Sequence, residues 1–220
     1  MQATLLIVIL WVAFAASHMV LSAAPVRTTL VAAMGEWPFR GLYSLVAFVT
    51  FVALVWVYFH NKHAGPLLWS VPVSDAVRGL LYLGNVLAFI LIAAGYFSPS
   101  PAVLGMKRVL HRPVHDITRH PVFMGIGLWG LIHVIPNGFA SDVAFFAGFP
   151  LFALLGSWHQ DRRLTTSRGE RYRRFISGTP FLPLTGKHTW RGLRHISYKA
   201  TLAGIAAAGV LGYFHTHWLV

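Results

Sequence analysis

Apolar side chains run along this chain in long unbroken stretches, and polar ones fill short intervals between them. Six stretches, at about 3–24, 41–59, 79–97, 121–137, 143–160 and 200–220, contain no Asp, Glu, Lys or Arg. Each is close to the roughly 17–25 residues that a helix needs to cross bilayer hydrocarbon. A spanning strand would alternate polar and apolar positions, and none of the six does, so the pattern predicts helices. The fourth and fifth runs are joined through Pro136-Asn137-Gly138 to Asp142, which predicts a helical hairpin. The expected fold is all-α, a polytopic transmembrane helix bundle of about six spans. It forms one domain over 1–220, with no internal repeat and no separate soluble part.

Composition sharpens this reading. Apolar residues make up 56% of the chain and charged ones 11%, against about 25% charged in a soluble domain. A soluble monomer of this size could not hide so much apolar surface. A soluble enzyme, a disordered chain and a nucleic-acid-binding domain are excluded. The net charge of +12 is not a nucleic-acid signal, because the cations sit between spans. Absence of Cys excludes disulfides, thiolate catalysis and Cys-ligated metals.

Sixteen of the eighteen Lys and Arg fall in the intervals 25–40, 98–120 and 161–199, which share one side of such a bundle; Lys62 and Arg78 fall on the other. Because cationic loops stay inside, both termini are expected on the outer, periplasmic side of the cytoplasmic membrane. A cleaved signal peptide ending at Ser22-Ala23-Ala24 is the alternative for the first run, but Met1-Gln2 supplies no cation ahead of it. The interval 161–199 holds ten cations among Tyr172, Phe175, Ile176, Phe181 and Leu182. It is expected to lie along the membrane surface on anionic lipids.

Ionisable groups inside spans point to function by default. His18 lies in the first run and His133 in the fourth. Each imidazole either pairs with a backbone carbonyl or binds a cofactor. Without thiols or intramembrane carboxylates, two histidines suit a haem iron better than zinc, since a porphyrin supplies the other four ligands. Absence of a Cys-x-x-Cys-His motif would make such a haem b-type. By helix rise, His18 sits about 9 Å and His133 about 18 Å from the inner ends of their spans, so the pair is offset in depth. His60, His63, His215 and His217 read as solvated interfacial residues. Arg119 and His120 precede Pro121 at the mouth of the fourth run, an entrance that attracts anions. They are expected to converge there with Arg162 and Arg163 near Asp161, which would neutralise Arg119 or Arg162. Gly125, Gly127 and Gly130 offer a small face for close helix approach, and Glu36 with Arg40 forms an i,i+4 pair.

The runs GEWPFRGLYSLV (35–46), ITRHPVFMG (117–125), LWGLIHVIPNG (128–138) and GSWHQDRRL (156–164) resemble the NnrU family of bacterial membrane proteins and its photosynthetic relatives, the 15-cis-zeta-carotene isomerases. The resemblance implies a b-type haem protein that turns a central cis double bond of an apolar, bilayer-dissolved carotene to trans. It places the haem-ligating histidines on His18 and His133. Gly130 stands where the plant isomerases carry a Cys, so a thiolate ligand is not implied here. The NnrU name implies a different role, as a non-catalytic accessory or haem protein in denitrification. Residues 119–183 are similar to the C-terminal half of isoprenylcysteine carboxyl methyltransferases, with RHPVFMG, DRRL, GERYRRF and TPFLP carrying the likeness. That similarity implies a shared fold for this half and an S-adenosylmethionine site using Arg119 and His120. Gln160-Asp161 stands where those enzymes have paired glutamates.

Overall fold

A computed structural model describes residues 1–99 and 111–219 of the chain. Lys107 and Arg108, counted above in an inner interval, and Val220, the end of the sixth run, lie outside the described residues. In chain order the helices are α1 (Gln2–Ser22), α2 (Ala24–Met34), α3 (Glu36–Phe59), α4 (Asp75–Phe97), α5 (Val114–Ile117), α6 (Pro121–Val134), α7 (Ala140–Arg168), α8 (Glu170–Ser177), α9 (Thr189–Arg194) and α10 (Tyr198–Phe214). A π-helical turn, His215–Leu219, follows α10. The described residues contain no strand beyond an isolated bridge between Leu67 and Phe139. The fold is an all-α membrane bundle, as the hydrophobic pattern predicts.

Among the described residues four helices, α1, α3, α4 and α7, are long and apolar enough to cross a membrane. The six-span expectation differs at the other two. Helix α6 has 14 residues, about 21 Å at 1.5 Å per residue, and α10 has 17. The intervals 25–40, 98–120 and 161–199, read as loops, are also partly helical. Residues 24–34 form α2, with Pro25 in its first turn where the missing N–H costs nothing. Helix α7 runs eight residues beyond the predicted end of the fifth span, to Arg168.

The chain divides into two compact units, Met1–Pro72 with His133–Phe152, and Val73–Ile132 with Ala153–Val220. In the first, Trp11 of α1 donates its indole N–H to the Phe145 carbonyl of α7 at 3.0 Å. Gly148 makes this approach possible, because a Cβ there would run into the Trp11 ring. The loop after α3 and the start of α7 are laced by backbone bonds, Leu68 N to Gly138 O, Ala140 N to Pro66 O and Ser141 N to Ala64 O.

In the second unit, α6 runs antiparallel along α4. Gly84 faces Ile132, Gly125 faces Ala88 and Ile92, and Gly95 faces Pro121 and Val122. A Cβ on Gly125 would come within 2.8 Å of the Ala88 carbonyl oxygen, so the small residue predicted for close approach performs that task. Gly204 brings α10 equally close to Ile90 on α4. Leu91, Ala94, Val114, Ile117, Met124 and Ala200 form the core of this unit.

Candidate functional site

Acids are scarce in this chain, and their placement shows where polar chemistry is built. All six lie within ion-pair distance of a cation or histidine. The three buried ones, Asp116, Asp142 and Asp161, each hold a histidine. A buried carboxylate without donors is costly, and each of these has at least three.

Asp161, on α7, is the most heavily used. Its Oδ2 accepts from Arg119 Nε at 2.8 Å. Its Oδ1 accepts from His120 Nε2 at 2.9 Å and from the Tyr172 hydroxyl at 2.7 Å. Arg119 also donates to the Thr179 carbonyl and lies over the Phe181 ring. The predicted convergence of Arg119 and His120 on Asp161 is therefore present. Arg162 does not join it: its side chain is exposed and lies over Trp158 on its own helix. A helix turns about 100° per residue, so the neighbour of an inward Asp161 faces outward. Tyr172 was read from the sequence only as an apolar residue; its role as donor had no sequence signal. Burial, and then the Asp161 charge, push its phenol above the usual range, so it stays protonated. His120 Nδ1 and Ser157 Oγ are buried without a hydrogen-bond partner among the described residues.

Asp116 anchors a second cluster. It accepts two bonds from Arg191, at 2.9 and 3.1 Å, and one from His111 at 2.9 Å. Burial alone would raise its carboxyl, but the Arg191 bonds and then the His111 charge outweigh that and hold it below its ordinary value. Beside it His115 is fully buried and accepts the Arg112 N–H at Nδ1. Burial, and then the charge of His111, push His115 down to about 4.

In the first unit, Asp142 is wholly buried and accepts from His63 twice, at the backbone N–H and at Nδ1, and from Tyr58. His63 is exposed, as expected for an interfacial residue, but it is also clamped. The clamp explains its left-handed backbone, with φ at 55°.

His18 and His133 both belong to this unit. His18 Nδ1 lies 3.0 Å from the Phe14 carbonyl of its own helix. A carbonyl can only accept, so Nδ1 carries the proton and a neutral ring keeps its lone pair on Nε2. Metal-ligating histidines are commonly held in this way, by a bond from the other ring nitrogen. The ring packs against Phe14 at 4.2 Å, Tyr43 at 5.2 Å and Phe152 at 5.5 Å. These aromatic walls and the Nε2 lone pair are features with which His18 could hold a porphyrin iron. His133 stacks on Phe146 at 4.9 Å. Phe146 and Phe152 are six residues apart on α7, about 9 Å along the axis, so the depth offset read from the sequence reappears in the rings that each histidine touches.

The chain is 26% identical over 153 residues to the chloroplastic 15-cis-zeta-carotene isomerase of Zea mays, which covers 68% of this chain and 42% of that protein. It is also 26% identical over 155 residues to the Arabidopsis thaliana protein of the same name, with the same shares. The match thus spans about two fifths of the length of these relatives. No solved structure matches the chain. The model of the NnrU protein family matches residues 5–220, and the chain is a member of that family of integral membrane proteins.

Proposed function

We propose that this protein is an isomerase-like membrane protein acting on an apolar polyene dissolved in the bilayer, turning a cis double bond to trans. The observation that carries the reading is the His18 imidazole, held at Nδ1 and enclosed by Phe14, Tyr43 and Phe152. The likeness to the two 15-cis-zeta-carotene isomerases supports the same substrate class. Rotation about a double bond adds and removes no atoms, so it needs neither a general acid nor a general base. The six apolar runs without Asp, Glu, Lys or Arg suit such a reaction. Phe14 and Phe152 pack on the imidazole, Phe51 backs Phe14, and the Phe14 carbonyl fixes which nitrogen it offers.

His18, with His133, would hold a b-type haem. When bound, haem supplies an iron able to lend or withdraw an electron, which lowers the order of a nearby double bond. The orientation that goes with this reading has both termini on the outer side of the cytoplasmic membrane. Producing the chain in a host that accumulates 15-cis-zeta-carotene tests the proposal. Chromatography should show conversion to the trans product, and His18→Ala should abolish it. An unchanged isomer ratio alongside inserted protein would reject the isomerase role and leave the accessory role in denitrification. A Soret band in the purified protein, lost in His18→Ala, tests the haem separately.

A further inference from the structure

The short helix α9 is built inside out for a protein in water. Its small residues, Thr189 and Gly192, are buried, while Trp190 is 75% exposed and Leu193 is also exposed. The arrangement is enforced. Gly192 sits against the Pro113 carbonyl, which a Cβ would approach to 2.7 Å, and Arg191 is clamped to Asp116. The preceding turn repeats the theme. Leu184 is 61% exposed and has a left-handed backbone, with φ at 68°, a conformation that bulky residues avoid. Its N–H is bonded to the Ile117 carbonyl, and Thr118 Oγ1 and Arg119 N–H tie the same stretch down at Phe181 and Pro180. Strain of this kind persists only where the surroundings hold it, and it gathers at functional places.

The exposed side chains around these residues include several cations. Lys187, Arg194 and Lys199 are exposed and make no ion pair among the described residues. The segment follows α8 and leads into the apolar helix α10. Tryptophan beside arginine, on a surface continuous with apolar helices, matches the layer between acyl chains and headgroups.

We infer that residues 182–194 form a membrane-surface plate that inserts Leu184, Trp190 and Leu193 at the acyl–headgroup boundary and holds anionic phospholipid headgroups through Lys187 and Arg194. The plate fixes the depth of the mouth where Arg119, His120 and Asp161 meet, and it does not depend on the isomerase reading.

Two measurements on the full chain in lipid nanodiscs test this. The Trp190 contribution to fluorescence is taken as the difference between the chain and Trp190→Phe. It should be quenched by phosphatidylcholine brominated high on the acyl chain and be insensitive to aqueous acrylamide. Leu184→Ser should weaken the bromine quenching. Retention of phosphatidylglycerol over phosphatidylcholine, read by native mass spectrometry, should fall about fivefold for each charge removed in Lys187→Gln and Arg194→Gln. Acrylamide quenching without bromine quenching would overturn the insertion. Unchanged phosphatidylglycerol retention in the double variant would overturn the anionic-lipid site. Shielding that rises with protein concentration would assign the face to a second copy of the chain and overturn the proposal.

Discussion

Asp161 satisfies three side chains from two separate parts of the sequence, and this makes it the residue whose replacement should cost most. Asp161→Asn leaves Arg119 with its charge and without a counter-charge in a site where both side chains are 11% exposed. Removing one partner of a buried pair costs about 3–5 kcal/mol. Tyr172→Phe removes one bond to the same carboxylate and should cost about 2 kcal/mol. Unfolding temperatures in one detergent should rank the two variants in that order. His115 gives a pH dependence. Its folded value of about 4 lies below the 6.5 of an open chain, so the unfolded state takes up the proton first as pH falls. Stability is therefore full above about pH 6.5 and fades toward pH 4, by about 3 kcal/mol. The carboxyl of Asp116 is held below its ordinary value, so its contribution is lost only at lower pH. Unfolding curves at pH 6.5 and 4.5 should show the slope in the parent chain and a shallower one in His115→Asn.

Helix contacts separate glycines that matter from those that do not. A Cβ on Gly204 would lie 2.5 Å from the Ile90 Cα, whereas one on Gly209, five residues along the same helix, meets nothing within 4 Å. Gly204→Ala should destabilise by about 1–3 kcal/mol, since backbone cannot move aside cheaply. Gly209→Ala should gain about 0.5–1 kcal/mol by restricting the unfolded chain. Thermal unfolding of the pair checks both signs. At this scale the sequence was informative about apolar runs and less so about their ends. The cores of α1, α3, α4 and α7 follow directly from hydropathy. The helical state of 24–34 and the extension of α7 to Arg168 do not, because their polar turns are stabilised by pairs distant in sequence, such as Arg27 with Glu36 and Asp161 with Arg119. Gly125 and the Glu36–Arg40 pair were readable because each depends on local spacing. The Asp116–Arg191 clamp was not, since it joins residues 75 apart.

For the whole molecule, the orientation rests on sixteen cations against two. Reporter fusions after residue 70 and at the C-terminus should read outside, and fusions after 175 inside. An inside signal at the C-terminus would reverse the arrangement or remove a crossing. The antiparallel run of α6 along α4 argues that this short helix changes level in the membrane despite its 14 residues. The Trp11 indole has a consequence for how such a chain is made. Its acceptor, Phe145, lies 134 residues later, and at roughly 5–20 residues per second the ribosome needs about 7–27 s to reach it. During that interval α1 is already in the bilayer with a donor N–H that has no acceptor on its own helix. Its early residence must rest on apolarity alone, and final docking is a late, post-insertion event triggered by the arrival of the Gly148 notch. A ribosome stalled before Phe145 would leave α1 inserted without its α7 partner, a substrate for intramembrane quality control.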